Sequence, residues 1–188
     1  AGSQILVAGQ IQHPYVARRR VSVELVEIGM NDLLLDVDGV RRVFEAEGVT
    51  ISSDQATAIA ERTEGWPAGA YLSALTAGTT TATSPGTAPG TANGVRGAGG
   101  GLDVTGSNPY FADYLFHHVL DRTSTDLQEF LLDAALLDQL HPSLCDEALA
   151  IDSSATVLHR LERANMFVVA SGHDGDWYRL HSLFREFL

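Results

Sequence analysis

The twelve residues WYRLHSLFREFL, at positions 177–188, change from a strand pattern to an amphipathic helix pattern at His181. Phe184 and Leu188 follow that histidine by three and seven positions, so the three side chains are predicted to share one helix face. The N–H groups of a first helical turn attract anions, and an imidazole beside them can donate a hydrogen bond to a phosphate oxygen. This pattern predicts a phosphate-sensing histidine. The alternative interpretation is a histidine that only caps and packs its helix.

A winged helix is the fold predicted for residues 108–188 around this stretch. Strand-like runs at 166–170 and 177–180 flank a turn that contains Asp174-Gly175, which predicts a β-hairpin. Helical patterns precede the hairpin at 110–120, 124–137, 142–150 and 154–165. Several helices followed by one such hairpin describe a winged-helix domain.

Residues 77–107 are predicted to be a flexible linker in front of this domain. From 77 to 101 the sequence is almost wholly Gly, Thr, Ala, Ser and Pro, and Arg96 is its one charged residue. Such a composition cannot bury enough apolar surface to offset the conformational entropy that is lost on ordering. The segment is therefore the clearest predicted domain boundary.

Residues 31–76 are predicted to form a small helical domain. Apolar residues recur at spacings of three and four between 36 and 47, and Gly48 then supplies a stop. Two further helices are predicted at 53–62 and 68–76. The sequence between them, Thr63-Glu64-Gly65-Trp66-Pro67, ends one helix at a glycine and starts the next at a proline.

Residues 1–30 are predicted to be the trailing strands of a truncated α/β domain. The runs at 4–9 and 21–28 are apolar and short, as in strands of a parallel sheet that is buried on both faces. Two strands do not make a stable open sheet alone, so the earlier strands of that sheet are expected upstream.

The composition excludes several classes of function. All twelve basic residues are arginines, so the chain offers no lysine for a Schiff base, a general base or a phosphate loop. A net charge of −12 opposes binding to nucleic acid. Cys145 cannot form an intrachain disulfide, and no apolar run is long enough to span a bilayer. We expect a cytoplasmic chain that contacts neither nucleic acid nor membrane.

Three stretches of sequence carry a family resemblance. They are GSQILVAGQ at 2–10, ERTEGWPAG at 61–69, and the combination of LHRLERAN at 158–165 with WYRLHSLF at 177–184. In this order they resemble the strand after the Walker B segment, the Glu-Gly-Trp-Pro motif of the helical lid, and the winged helix with its closing His-x-Leu-Phe motif. The proteins resembled are the MalT-like, LuxR-type regulators of the STAND branch of P-loop ATPases.

This resemblance covers nearly the whole chain and implies a mainly α fold. Its parts would be the C-terminal edge of an α/β P-loop ATPase domain, a helical lid at 31–76 and a winged-helix domain. The implied function is that of the regulatory core of a transcriptional regulator that holds ADP at rest and exchanges it for ATP. The implied partners are the protein's own upstream ATPase domain and downstream sensor domain, with self-assembly of the activated protein.

The resemblance also assigns nucleotide-binding residues in the intact protein, where ATP or ADP would bind with magnesium. Pro67, preceded by Gly65 and Trp66, would contact the adenine base, and His181 would reach the β-phosphate of ADP and latch the resting state. Gln10 stands where the family generally carries a sensor arginine, and its neutral side chain cannot neutralise a γ-phosphate. The arginines at 18–20 are either a replacement for that charge or a solvated face.

Other sequence features limit the activities that we expect of the chain by itself. The sequence has no Gly-x-x-x-x-Gly-Lys phosphate loop, so we expect no cofactor, no tight nucleotide binding and no catalytic residue in it. His117 and His118 are adjacent and would point about 100° apart on a helix, so no metal site is predicted. The alternatives are a DNA-binding winged helix that uses Arg160 and Arg163, and a protein-interaction module. Either could come from a kinase-linked or cyclase-linked regulator.

Overall fold

Helices dominate the structure, a computed structural model that describes residues 6–9, 25–82, 104–171 and 176–188, with the backbone only for 79–82. The helices are α1 Met30–Leu33, α2 Val37–Ala46, α3 Ser53–Thr63, α4 Pro67–Ala82, α5 Pro109–Leu115, α6 Thr125–Ala134, α7 Pro142–Leu149, α8 Ser154–Arg163 and α9 Ser182–Phe187. A π-helical turn, Phe116–Leu120, continues α5, and the strands are β1 Val168–Ala170 and β2 Tyr178–Leu180. The prediction of a mainly helical chain with a small two-stranded sheet is confirmed.

The chain divides into two compact units. Of the described residues, the lid unit contains 30–82, 104–136 and 181–188, and the wing unit contains 6–9, 25–29, 137–171 and 176–180. The last helix, α9, therefore belongs to the same unit as the helices of the predicted lid. The core of the lid unit is formed by buried side chains from α2, α3, α4, α5 and α9, among them Val40, Phe44, Ile59, Ala70, Leu72, Phe111 and Leu183.

Side chains fix where α2 and α3 begin. Asp36 caps α2, and its carboxylate accepts a hydrogen bond from Gly39 N at 2.7 Å. Ser52 and Gln55 form a capping box at α3, because each side chain accepts from the backbone N–H of the other residue, at 3.2 and 2.8 Å. These bonds satisfy N–H groups that lack a partner within the helix. The sequence pattern placed the start of α3 within one residue of Ser52.

A tight turn joins α3 to α4 and requires a glycine. Glu64 has φ 51° and Gly65 has φ 75°, both in the left-handed region. A Cβ on Gly65 would also lie 2.9 Å from the carbonyl oxygen of Leu35, whose N–H donates to Gly65 O at 2.8 Å. Pro67 then occupies the first position of α4, where a missing N–H costs nothing.

Both ends of the predicted linker are folded into the lid unit where the structure describes them. Helix α4 continues to Ala82, beyond residue 76 where the pattern ended it. Val104 is buried, and Asn108 caps α5 by accepting from Tyr110 N at 3.0 Å. Small polar residues do not forbid a helix that is already propagating, which explains the extension. Residues 83–103 lie outside the described part of the chain.

The wing unit contains the predicted hairpin. Strands β1 and β2 are antiparallel, with Val168 opposite Leu180 and Ala170 opposite Tyr178. Leu140 extends the ladder through two backbone bonds with Tyr178, of 2.7 and 2.8 Å. Helix α8 packs against β1 through its buried face, and α7 packs against α8. The turn residues 172–175 lie outside the described residues.

The described parts of the two predicted N-terminal strands are not strands. Residues 6–9 and 25–28 have no regular secondary structure, and Leu6 and Val7 are 89% and 80% exposed. An apolar run reports suitability for a buried strand, but a strand also needs a neighbour that pairs with its backbone groups. The other strands of the predicted sheet are expected upstream, so the assignment of residues 1–30 to the trailing edge of an α/β domain stays a prediction.

Candidate functional site: a clasp between two motifs

Two of the motifs that carry the family resemblance, Glu-Gly-Trp-Pro and His-x-Leu-Phe, are connected by hydrogen bonds within the lid unit. His181 Nε2 lies 2.9 Å from Thr63 O, and Ser182 N donates to Glu64 Oε1 at 3.1 Å. Ser182 Oγ also donates to Arg62 O at 3.4 Å. We name these five residues, Arg62, Thr63, Glu64, His181 and Ser182, the clasp. It connects the end of α3 to the start of α9, 118 residues apart in the His181–Thr63 bond.

Both ring nitrogens of His181 have partners within the chain. Nδ1 accepts from Leu183 N at 3.3 Å, which makes His181 the side-chain cap of α9, and Nε2 faces the Thr63 carbonyl. An acceptor at Nδ1 and a donor at Nε2 define the neutral tautomer with its hydrogen on Nε2. The side chain is only 6% exposed. His181 thus precedes α9 instead of lying inside it, and it caps and packs that helix.

The clasp uses backbone groups that a helix end leaves without intrahelical partners. The last carbonyls of an α-helix have no N–H four residues ahead, and buried ones need donors from elsewhere. Thr63 O accepts from Trp66 N at 2.9 Å as well as from His181. This single carbonyl therefore links the Glu-Gly-Trp-Pro turn to the imidazole.

An ionic network supports the clasp from one side. Arg62 forms an ion pair with Glu186 of α9, and its Nε donates to Val104 O at 3.0 Å. Gly106 N donates to the other carboxylate oxygen of Glu186 at 3.1 Å. Burial raises the pKa of the Glu186 carboxyl, but hydrogen bonds from Arg62 and Gly106 and the charge of Arg62 outweigh it and hold the pKa below its usual value. Glu186 is therefore ionised and joins three chain segments.

Gly106 lies too close to α9 for any larger residue. A Cβ at this position would meet the carbonyl oxygen of Leu183, and it would lie 2.5 Å from Phe187 N and 2.8 Å from Glu186 Cβ. Two of these atoms belong to the backbone and cannot move aside cheaply. Only a glycine brings the segment before α5 within bonding distance of Glu186.

An aromatic cluster surrounds the clasp. The Trp66 ring centroid lies 6.0 Å from that of His181, 5.5 Å from that of Tyr114 and 6.4 Å from that of Phe111, all tilted or edge-on. Tilted contacts at these distances are favourable between aromatic rings. A Cβ on Gly69 would lie 2.6 Å from Trp66 Cε3, so the small residue one turn along α4 makes room for the indole.

Comparison with known proteins assigns the C-terminal part of the chain. Residues 116–188 match the family model described as the MalT winged helix domain. Helices α6, α7 and α8 precede the two strands in this range, and α9 follows them. This part of the chain is thus similar to a MalT-like winged-helix domain.

Similarity to curated proteins extends beyond that domain to 92% of the chain. The chain is 29% identical to the serine/threonine-protein kinase PknK of Mycobacterium tuberculosis (strain H37Rv) over 174 residues. It is 26% identical over the same length to the HTH-type transcriptional regulators MalT of Yersinia enterocolitica and Serratia proteamaculans. The chain spans 14% of the length of PknK and 18% of the length of each MalT.

The sequence-predicted site residues fall into two groups. Gly65, Trp66, Pro67 and His181 are brought together, where Pro67 is exposed, Trp66 is half-buried and the other two are buried. Gln10 lies outside the described residues. The His-x-Leu-Phe motif near the end of the matched residues thus contacts the Glu-Gly-Trp-Pro turn directly.

Sequence reasoning missed the residues that connect the two motifs. Arg62, Thr63 and Glu64 stand inside a quoted motif, but their roles depend on a partner more than a hundred residues away. The local sequence around Gly106 and around Glu186 does not indicate that these two residues contact each other.

Among the described residues, no group of three or more His, Cys, Asp or Glu side chains is placed to hold a metal ion. Nor does any helix in the described ranges have the length and apolar character needed to cross a membrane.

Proposed function

We propose that this chain is the lid and winged-helix region of a nucleotide-dependent transcriptional regulator. Its relatives support this class, since proteins named as an HTH-type transcriptional regulator and as a protein kinase both share this region with it. Their named activities differ while the region is common to both. A shared region between different outputs fits a regulatory role better than a catalytic one.

The clasp is the observation that carries the proposal. His181 has one hydrogen on Nε2, and Thr63 O accepts it at 2.9 Å. In the intact regulator we propose a second acceptor for the same hydrogen, the β-phosphate of bound ADP, which completes the latch of the resting state. One donor cannot serve two acceptors at full strength. Nucleotide binding and the clasp would therefore be coupled through a single imidazole.

The other parts of the proposed nucleotide site follow from the family resemblance. Pro67 is exposed at the start of α4 and is available to an adenine base, while Gly65 and Trp66 hold the turn that presents it. Gln10 would face the γ-phosphate without neutralising it, which disfavours fast hydrolysis. The phosphate loop and the magnesium ligands would come from the upstream ATPase domain. Alone, the chain would be non-catalytic.

The proposal also includes the cellular location and the partners of the protein. We propose a cytoplasmic regulator that contacts its own ATPase domain and sensor domain and self-assembles once the latch opens. Isothermal titration of the 188-residue chain with ADP or ATP tests whether tight nucleotide binding requires the upstream ATPase domain. We expect no binding in the micromolar range, because the sequence has no phosphate loop. A clear micromolar signal would contradict the proposal for the isolated chain.

The latch itself is tested in the intact regulator by His181→Ala. We expect the unchanged regulator to retain ADP through dialysis and the variant to lose it, together with transcription that no longer needs the inducer. His159→Ala is the matched control, because His159 is exposed on α8 and its ring lies 3.4 Å from the side chain of Glu162, away from the clasp. Retained ADP and inducer dependence in His181→Ala, with only lower thermal stability, would reduce the residue to a structural cap.

A second candidate function is DNA binding by the winged helix. Arg160 and Arg163 are exposed on α8, the helix that precedes the hairpin. Glu162 lies between them and Asp176 precedes β2, so the surface is mixed in charge and not basic. Filter binding to random duplex DNA at low salt separates the candidates: we expect no retention, whereas retention that Arg160→Ala and Arg163→Ala abolish would favour the DNA-binding module.

A further inference from the structure

An open groove lies beside α5 in the lid unit, apart from the clasp. Its volume is about 460 Å³. It is lined by Leu72, Pro109, Tyr110, Asp113, Tyr114 and His118. Tyr114 also contacts Trp66, so the groove borders the aromatic cluster but uses none of the five clasp residues. No role in the proposed nucleotide switch accounts for it.

The wall of this groove is held in place by an unusual turn. Helix α5 changes into the π-helical turn Phe116–Leu120, and such turns frequently occur at functional sites. His118 stacks on Tyr114 with ring centroids 4.5 Å apart and an interplanar angle of 6°. His118 Nδ1 also lies 3.2 Å from Tyr114 O. The two rings thus lie face to face and hold each other in place, and Tyr110 stands one turn earlier with 43% of its surface exposed.

The chemistry of the lining favours a planar cation. Its charged member is the Asp113 carboxylate, whose side chain is 79% exposed, and the lining contains no arginine. A phosphate or carboxylate ligand would meet this negative charge on a chain whose net charge is already −12. A guanidinium group fits both features, because it stacks on tyrosine faces and pairs with a carboxylate through two parallel N–H groups.

We propose that this groove binds an arginine side chain of a partner polypeptide. The guanidinium would lie against the ring of Tyr110, or against the stacked pair of Tyr114 and His118, and pair with Asp113. Leu72 and Pro109 add apolar surface for the aliphatic stem and for a neighbouring residue of the partner. His117 Nε2 lies 3.5 Å from one Asp113 oxygen, and a carboxylate accepts several hydrogen bonds, so that contact leaves capacity for an arginine.

Short peptides test the proposal on the 188-residue chain. The probes are Ac-Gly-Arg-Gly-amide and the same peptide with lysine or citrulline in place of arginine, and binding is followed by the amide shifts of residues 110–118 in NMR titrations. We expect arginine to bind most tightly, with lysine and citrulline each weaker by about two- to fivefold, because lysine lacks the planar fork and citrulline lacks the charge. Equal binding of the three peptides, or no shifts in this segment, would overturn the proposal.

Two variants and one control locate the site. We expect Asp113→Asn and Tyr110→Ala each to weaken the arginine peptide by about two- to fivefold, the range for an exposed ion pair or cation–π contact. Asp121→Asn removes an exposed carboxylate at the end of the π-helical turn, outside the groove, and should leave binding unchanged. Circular dichroism confirms that each variant folds. Equal weakening in Asp121→Asn would show charge attraction without a site.

Discussion

The clasp and the groove both place a histidine beside an aromatic ring, yet the two regions use it differently. His181 is 6% exposed and both of its ring nitrogens are bonded inside the chain. His118 is exposed and lies flat on Tyr114 at the edge of an open groove. A buried polar group that loses its partner costs far more than an exposed one, because water replaces the partner only at the surface.

Because of this difference, we expect the clasp to contribute to stability and the groove to contribute to binding. Changes in the clasp should lower the free energy of unfolding, whereas changes in the groove should leave it nearly intact and alter only binding. Trp66 and Trp177 are the two tryptophans of the chain and lie in different units. A Trp177→Phe background therefore lets the fluorescence of Trp66 report on the lid unit alone, and it is the reference for the comparisons that follow.

The largest effect is expected from Phe184→Ala in the closing motif. Phe184 is fully buried in α9, so its removal should cost about 3–5 kcal/mol in the free energy of unfolding by transfer and cavity terms together. Urea denaturation followed at Trp66 measures this loss. Phe187→Ala is the control, because Phe187 lies on the same helix and is only half-buried. Equal losses in the two variants would contradict the assignment of α9 to the core of the lid unit.

The next effect is expected from Gly106→Ala. The new methyl group would collide with the Leu183 carbonyl and the Phe187 amide, and overpacking of this kind typically costs about 1–3 kcal/mol. Gly78→Ala provides the control, since a Cβ there meets nothing closer than Val49 Cγ2 at 4.0 Å. In a helix that control should be neutral or stabilise by up to about 1 kcal/mol. A tolerated Gly106→Ala would show that the segment before α5 does not pack on α9.

His181→Ala and His118→Ala compare the two histidines directly. Loss of His181 leaves the Leu183 amide without its cap and takes one donor from the buried Thr63 carbonyl, so we expect a cost of about 1–3 kcal/mol. His118→Ala should change stability by less than about 0.5 kcal/mol, as is usual for surface positions. Thermal and urea unfolding of both variants measure the contrast. Similar costs would remove the distinction between clasp and groove.

The sequence predicted the elements better than it predicted the contacts between them. Apolar spacing located α2 and α3 closely, because their faces are buried in the regular way that periodicity reports. The glycine and proline at 65 and 67 also marked a real turn. By contrast, residues 6–9 and 25–28 have the pattern of strands but no regular secondary structure, and a local pattern does not show the neighbour on which strand pairing depends.

For the candidate site, too, the sequence indicated some of the residues but not the contacts between them. Resemblance selected Gly65, Trp66, Pro67 and His181, and the structure brings these residues together. It did not select Glu64 or Glu186, whose roles arise from residues more than seventy positions distant. The π-helical turn was also unforeseen, since the pattern at 110–120 is that of an ordinary α-helix. Long-range hydrogen bonds leave no local trace, whereas caps and turns do.

Among the changes in and around the clasp, the smallest effect is expected from Glu186→Gln, and its signature is a pH dependence. Because the folded state holds the pKa of Glu186 below its usual value, the ionised carboxylate contributes stability above the ordinary glutamate pKa of about 4.3. That contribution disappears as the pH falls through the folded-state pKa. Near pH 7 we expect Glu186→Gln to cost at most about 1 kcal/mol, since the pair with Arg62 is partly exposed to solvent.

A double-mutant cycle with Arg62→Gln isolates that interaction. Arg62 also donates to Val104 O, so its single variant should cost more than Glu186→Gln, and the cycle removes this extra loss from the coupling between the two side chains. Urea denaturation at pH 7 and at pH 3 gives the coupling at each pH. It should be favourable at pH 7 and smaller at pH 3, because protonation removes the negative charge that Arg62 pairs with. Additive effects at both values would mean that the ion pair contributes nothing to the clasp, whose stability would then depend on His181 and Ser182 alone.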